Sequence, residues 1–273
     1  MRIEFLDDLD LGRIAESGQC FRWEALPDGT WRIPHRGRRL YIRQAREGLF
    51  DLDCSPAEFD GLWRDYFDFD TDYQFIRERI SREKDPCLWE AAQSQRGIRI
   101  LRQDPWEALV SFIISQNRNI PAIRRSVELL CLAAGQACTD GRGETFYAFP
   151  QPEAILNLTE ADLAACRLGY RDRYVLAAAK AAAEGSLDLE RLADMPPEEA
   201  AAALTGLYGV GIKVASCAAL FGLHQLDAFP VDVWMRRVLE AEYPGGYPRE
   251  AYSPYNGVYQ QYLFAYVRSR GKE

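Results

Sequence analysis

Two side chains in the stretch 204–243 combine reactive chemistry with a setting that could use it. Lys213 follows the turn Gly209-Val210-Gly211, and Asp232 stands in Phe229-Pro230-Val231-Asp232-Val233-Trp234, ahead of another helical pattern. Leu204 to Tyr208 close one helical segment, two glycines supply backbone angles denied to other residues, and apolar helical spacing resumes at Ile212. A glycine hairpin opening a fresh helix leaves backbone N–H groups unpaired, and these hold a phosphate without reading sequence. Taken singly, Asp232 is a good helix N-cap and Lys213 an ordinary solvated lysine. Together they set an amine and a carboxylate beside a phosphate-holding turn, and capping does not prevent a carboxylate from working in catalysis.

The elements around this stretch read as its support. The first ninety residues carry short apolar runs, FRWEAL, TWRIP, RLYIR and GLFDLD, separated by Gly, Asp and Pro, with a hairpin signal at Asp28-Gly29. They predict a small twisted antiparallel sheet, with a helix around 55–68. From about Ile76 the pattern turns helical. Asp104-Pro105 supplies a cap and an N1 proline for a helix with a buried face, which the polar run Ser115-Gln116-Asn117-Arg118-Asn119 interrupts. A connection of no assigned structure runs from about Ala134 to Pro152. AAAKAAAEG reads as a helix stopped by Gly185, and the stretch 253–264 as an amphipathic terminal helix. The fold class is therefore α+β, with a sheet domain at 1–90 and a helical domain at 91–273 whose two halves flank a cleft, the hairpin lying at 204–218.

Composition bounds the class. With 273 residues, 48% hydrophobic and 27% charged, the chain has the make-up of a soluble globular protein. It has no apolar run of membrane-spanning length and its start, MRIEFLDDLDL, is too acidic for a signal or transit peptide, so the cytoplasm, in association with the nucleoid, is the expected compartment. Seven cysteines, odd in number and scattered, argue for free thiols, and no CxxC pair suggests zinc. The net charge of −8 opposes nucleic-acid binding. Most of that excess lies early: residues 1–90 hold 14 Lys or Arg against 20 Asp or Glu, and 91–273 hold 19 against 21. Positive charge gathers at Arg118, Arg124 and Arg125, at Arg171 and Arg173, and at Arg236 and Arg237.

LYGVGIKVASC with FPVDVW resembles the helix-hairpin-helix (HhH-GPD) glycosylases of base-excision repair, most closely the 8-oxoguanine DNA glycosylase/lyase branch. The resemblance extends with gaps over most of the chain and implies roles for matching positions. Lys213 would be the amine nucleophile, made reactive by burial beside the hairpin, and Asp232 the essential carboxylate. Gly18, in SGQCFRW, would offer its carbonyl to N7–H of the flipped base, a group that guanine lacks; otherwise it is a turn glycine. Cys217 and Phe264 would sandwich the base and Gln260 read its Watson–Crick edge, although the terminal aromatics could equally seal the core. Asn117 would fill the space the base leaves, Tyr170 wedge into the stack and Arg171 contact the orphaned partner, where the bland alternative is a loop end, a packed tyrosine and a solvated arginine. Gly209, Val210 and Gly211 would hold the phosphate.

The implied partner is duplex DNA carrying 8-oxoguanine, with no membrane and the chain acting as a monomer. No cofactor is implied: nothing after Cys217 is a cysteine, so the iron–sulfur loop of related endonuclease III enzymes is absent, although a structural monovalent cation at the hairpin is compatible. A monofunctional glycosylase for alkylated bases and a non-catalytic DNA-binding module are the alternatives; the first needs no amine at position 213. Two departures stand out. Eukaryotic members carry an Arg five residues after the intercalating Asn, where this chain has Ala122, and a phosphate-contacting His where it has Trp234.

Overall fold

The computed structural model describes residues 1–270. Five antiparallel strands form the N-terminal sheet in the order β1-β5-β4-β3-β2: β1 Arg2–Glu4, β2 Glu24–Ala25, β3 Trp31–His35, β4 Arg38–Arg46 and β5 Leu49–Leu52. Four of them match the apolar runs of the sequence; β1 is too short and polar to register as one. The Asp28 carboxylate accepts from the Thr30 N–H and closes the turn between β2 and β3. Period-two alternation sends Leu40 and Ile42 to one face, where they pack with Ile33, Phe50 and Trp63, all at most 1% exposed. The helix expected around 55–68 is present, capped by Ser55, but its middle, Phe59–Trp63, is wound as a π-helix that buries both aromatic ends.

The connection between Ala134 and Pro152 contains two further strands, β6 Ala137–Thr139 and β7 Thr145–Tyr147. Their hairpin covers the outer face of the sheet. Asp140 accepts from Tyr41 Oη at 2.8 Å and pairs with Arg39 at 3.1 Å, and the Arg142 guanidinium lies 3.6 Å over the Tyr41 ring. The turn residues Asp140 to Gly143 carried this signal, but three-residue strands are too short for alternation to show.

Helices build the rest. Pro105–Ser115 begins where Asp104 caps the Glu107 N–H, and is buried almost throughout. The terminal helix, Asn256–Arg270, is not amphipathic as expected: Asn256 through Leu263 are all buried, because helices Pro86–Ser94 and Val233–Glu242 pack against it. It is a central strut.

One arginine joins sheet and helices. The fully buried Arg99 donates to the carbonyls of Phe67, Asp8, Asp68 and Thr71, pairs with Asp7 at 2.9 Å, and lies 4.2 Å over the Tyr73 ring. A buried charge is tolerable only when every donor is met, and here the donors are met by backbone from segments far apart in sequence. Arg99→Met is expected to cost about 3–5 kcal/mol of stability in urea unfolding, since it takes the counter-charge from Asp7 and a donor from each of four carbonyls; a loss below about 1 kcal/mol would show that water takes over the role.

Candidate active site and nucleic-acid interface

The hairpin is built by two glycines with different jobs. Helix Pro197–Thr205 ends and the chain turns at Gly209 with φ +82°, its backbone so close to Tyr174 that a Cβ would lie 2.2 Å from the ring. Only glycine fits there. Gly211, contrary to the expectation from sequence, has ordinary extended angles (φ −89°, ψ 172°), and a Cβ there would meet nothing within 4 Å. It is the N-cap of helix Ile212–Phe221 and offers no side-chain cap, so the first N–H groups of that helix remain open. Exposed Tyr208 and Ile212 flank this opening.

At the second position of the same helix, half-buried Lys213 reaches across its own face to Cys217, its hydrogen-bond partner four residues on. The Lys213 Nζ stands 5.5 Å from the centre of the Phe112 ring. Burial pushes the Cys217 thiol up, opposed by the lysine charge, so the sulfur is a neutral, apolar wall. Asp232 is the N-cap of helix Val233–Glu242, its Oδ1 accepting from the Met235 N–H at 2.8 Å, and it lines the same cavity as Lys213. The cap is real, and it anchors a carboxylate that stands on the wall of the cavity Lys213 also lines.

Gly18, from the sheet domain, reaches this cavity through its neighbour. The Gln19 side chain donates to the Arg99 carbonyl and accepts from the Leu101 N–H, both at 2.9 Å, while Gln103 bridges the carbonyls of Gln19 and Phe221. Gly18 has φ +79°, and a Cβ there would lie 3.6 Å from the Phe264 ring. Gln260 is buried on the terminal helix one turn before Phe264. Lys213, Cys217, Asp232, Gly18, Gln260 and Phe264 thus converge from three remote parts of the chain. Phe112, Phe221, Pro230, Ser17 and Gln261 complete the lining and were not read from sequence. The aromatic and proline residues carry only a core pattern, whereas Gln261, a second amide beside Gln260 in an otherwise apolar run, was a visible signal. The space enclosed is about 50 Å³, far below the roughly 300–1,000 Å³ of ligand pockets. A base enters only if a wall such as the half-buried Phe264 moves.

Asn117, Tyr170 and Arg171 form a second cluster beside the hairpin. Asn117, exposed and at φ +52°, donates from Nδ2 to Tyr170 Oη at 3.1 Å. Arg171 does not extend into solvent: it is 5% exposed, donates to the carbonyls of Gln116 and Leu168, and lies 4.3 Å over the Tyr170 ring. Gln116 then donates to the Gly209 carbonyl at 3.1 Å, tying this cluster to the hairpin. Other basic residues also turn inward. Arg118 bonds Ser126 and the Arg167 carbonyl and Arg124 the Ala15 carbonyl, while Arg125, Arg173, Arg236 and Arg237 are exposed, Arg173 donating to the Tyr170 carbonyl at the surface. The face is shaped more than it is charged.

The two hairpin glycines separate folding from binding. Gly209→Ala is expected to destabilise the protein by about 1–3 kcal/mol through collision with Tyr174. Gly211→Ala should leave Tm unchanged or slightly raised yet weaken duplex binding several-fold, because its methyl stands at the open helix end. Melting curves and DNA titrations of both variants check this; unaltered binding by Gly211→Ala would remove the hairpin from the interface.

Comparison with known proteins identifies the family. The N-terminal domain of 8-oxoguanine DNA glycosylase matches residues 4–109, and the HhH-GPD superfamily of base excision DNA repair proteins matches residues 110–244. A probable N-glycosylase/DNA lyase of Methanothermobacter thermautotrophicus is 32% identical over 259 residues, covering 84% of this chain and 76% of that protein. The N-glycosylase/DNA lyase of Saccharomyces cerevisiae is 35% identical over 261 residues, covering 86% and 69%. The Clostridium acetobutylicum 8-oxoguanine glycosylase/lyase, solved with duplex DNA carrying cytosine opposite 8-oxoguanine, superposes with a TM-score of 0.89 at 32% identity, over 99% of this chain and 98% of that one. With both domains matched and nearly the whole chain superposing on a solved 8-oxoguanine glycosylase/lyase, the chain belongs to the 8-oxoguanine DNA glycosylase family of N-glycosylase/DNA lyases, within the HhH-GPD superfamily.

Proposed function

We propose that this protein excises 8-oxoguanine from duplex DNA and then cleaves the strand at the abasic site. The observation that carries the reading is the convergence of Lys213 and Asp232 on one cavity that also holds Gly18, Gln260 and Phe264, directly behind an open helix N-terminus. The hairpin holds a phosphate through backbone N–H groups, which places the sugar of an extruded nucleotide near Lys213. The lysine amine attacks C1′ and the base leaves with the electron pair of the N-glycosidic bond. Asp232 stabilises the positive charge that builds on the sugar and accepts protons from the amine. Ring opening gives a Schiff base between Nζ and C1′, whose electron demand permits loss of a C2′ proton and departure of the 3′ phosphate. The chemistry runs on side chains alone, and a monovalent cation at the hairpin would only brace the turn.

Asn117 and Tyr170 occupy the gap in the duplex, acting as the unit their hydrogen bond already makes, in a chain that works as a monomer. Arg171 approaches the orphaned base only after exchanging its carbonyl partners. Among the described residues no helix is long and apolar enough to cross a membrane. The lysine on the cavity wall supports this reading over a glycosylase that uses water alone.

Lys213→Gln is expected to bind lesion DNA yet lose base release and the borohydride-trapped complex, and Asp232→Asn to keep its fold while losing most turnover. Cross-linking by the first variant, or near-normal excision by the second, would reassign the roles. Opposite-base preference is a separate expectation. Ala122 sits at the start of helix Ile120–Ala134, where it offers the orphaned base no donor. Each absent bidentate contact removes about 1–3 kcal/mol of discrimination. Single-turnover rates should therefore show 8-oxoguanine removed opposite several bases with moderate preference, sharpened toward cytosine by Ala122→Arg; strict cytosine dependence in the unmodified protein would contradict this.

A further inference from the structure

Beside Gln260 the cavity holds a second amide whose bonding is unfinished. Gln261, 3% exposed, donates from Nε2 to the Oε1 of Gln260 at 3.1 Å. Its own Oε1 is buried and has no hydrogen-bond partner, although Gln261 lines the cavity. A buried acceptor without a donor is costly, and in a well-packed interior it calls for a specific reason. The bond between the two amides also fixes their order. Gln260 keeps an Nε2 donor and one free lone pair on Oε1, and Gln261, whose Nε2 is engaged with Gln260, adds a bare Oε1 on the far side of its amide, so the pair offers a donor and then two acceptors to a base edge that reaches both amides.

That sequence is complementary to one base edge. A guanine-type Watson–Crick edge presents the O6 acceptor, the N1–H donor and the exocyclic 2-amino donor. An adenine-type edge reverses the first two and lacks the third, and a hypoxanthine-type edge keeps the first two and lacks the third. We propose that Gln261 is a specificity-determining residue whose Oε1 accepts a hydrogen bond from the 2-amino group of the flipped base, so that the Gln260 and Gln261 amides together select purines carrying that group. This rests on the reading of the cavity as the base pocket. The orphaned acceptor of the free protein is then satisfied only in the complex, and a base lacking the 2-amino group leaves it orphaned.

The test compares duplexes carrying 8-oxoguanine with duplexes carrying 8-oxohypoxanthine, which differs only by the missing 2-amino group, both opposite cytosine. The unmodified protein is expected to release 8-oxoguanine at least about tenfold faster in single turnover. Gln261→Met, of similar volume and without an acceptor amide, also frees Gln260 from its bond and should slow release of both bases, but 8-oxoguanine the more, so that the two rates draw together; an unchanged melting temperature reports that the variant folds. Equal rates on both bases in the unmodified protein, or an equal loss on both in Gln261→Met, would overturn the assignment of Gln261 alone. Failure of the unmodified protein to release either base would overturn the glycosylase reading and this assignment with it.

Discussion

The contact on which the functional face depends is that between the Gly209 backbone and the Tyr174 ring, where no Cβ can stand. It sets the hairpin flat against the helix Asp172–Ala183, which begins just after Tyr170 and Arg171. Gln116 locks the third side by donating to the Gly209 carbonyl while its own carbonyl accepts from Arg171. Three loops from distant parts of the chain are thereby held as one body: the glycine hairpin, the one that carries Asn117 and the one that carries Tyr170. Since Lys213 is two residues beyond the hairpin, at the start of helix Ile212–Phe221, its position relative to the open helix end is set by the same contact. Placement of this kind, fixed before substrate arrives, is how a modest nucleophile gains effective concentration.

Much of this was legible in the sequence because the catalytic stretch is local. Lys213 and Asp232 lie within twenty residues and are announced by turn and cap chemistry that does not need tertiary context. The lining from Gly18, Gln260 and Phe264 was reached by resemblance, since no periodicity brings residues of the first strand region and the last helix together. What escaped was decided by packing. Gly211 looked like a conformational necessity, yet its angles are ordinary and its smallness concerns approach from outside. The terminal helix looked amphipathic because its glutamines and tyrosines are polar by type, but the fold buries them. The hairpin of β6 and β7 was hidden by strands too short to alternate.

Charge gave the weakest guide. The acid excess argued against nucleic acid, and the clusters of arginine argued locally for it, but several of those arginines are spent on carbonyls inside the protein. Arg171 shows the distinction well, since the same guanidinium that is read as a base contact is, in the free protein, the brace of the Gln116 loop. Binding would then rest on backbone donors and inserted side chains more than on a positive field, which fits an overall charge of −8.

The central claim is that the hairpin delivers one amine, that of Lys213, to the sugar. The chain has few competitors: its other lysines are Lys84, Lys180 and Lys272, and the only further primary amine is at Met1. Reduction of the protein with borohydride during turnover on an 8-oxoguanine duplex, followed by proteolysis and mass-spectrometric mapping, identifies which of them is joined to the sugar. The expected result is a single nucleotide adduct on the peptide containing Lys213. An adduct on Met1 or on another lysine, or base release with no adduct at all, would contradict the account.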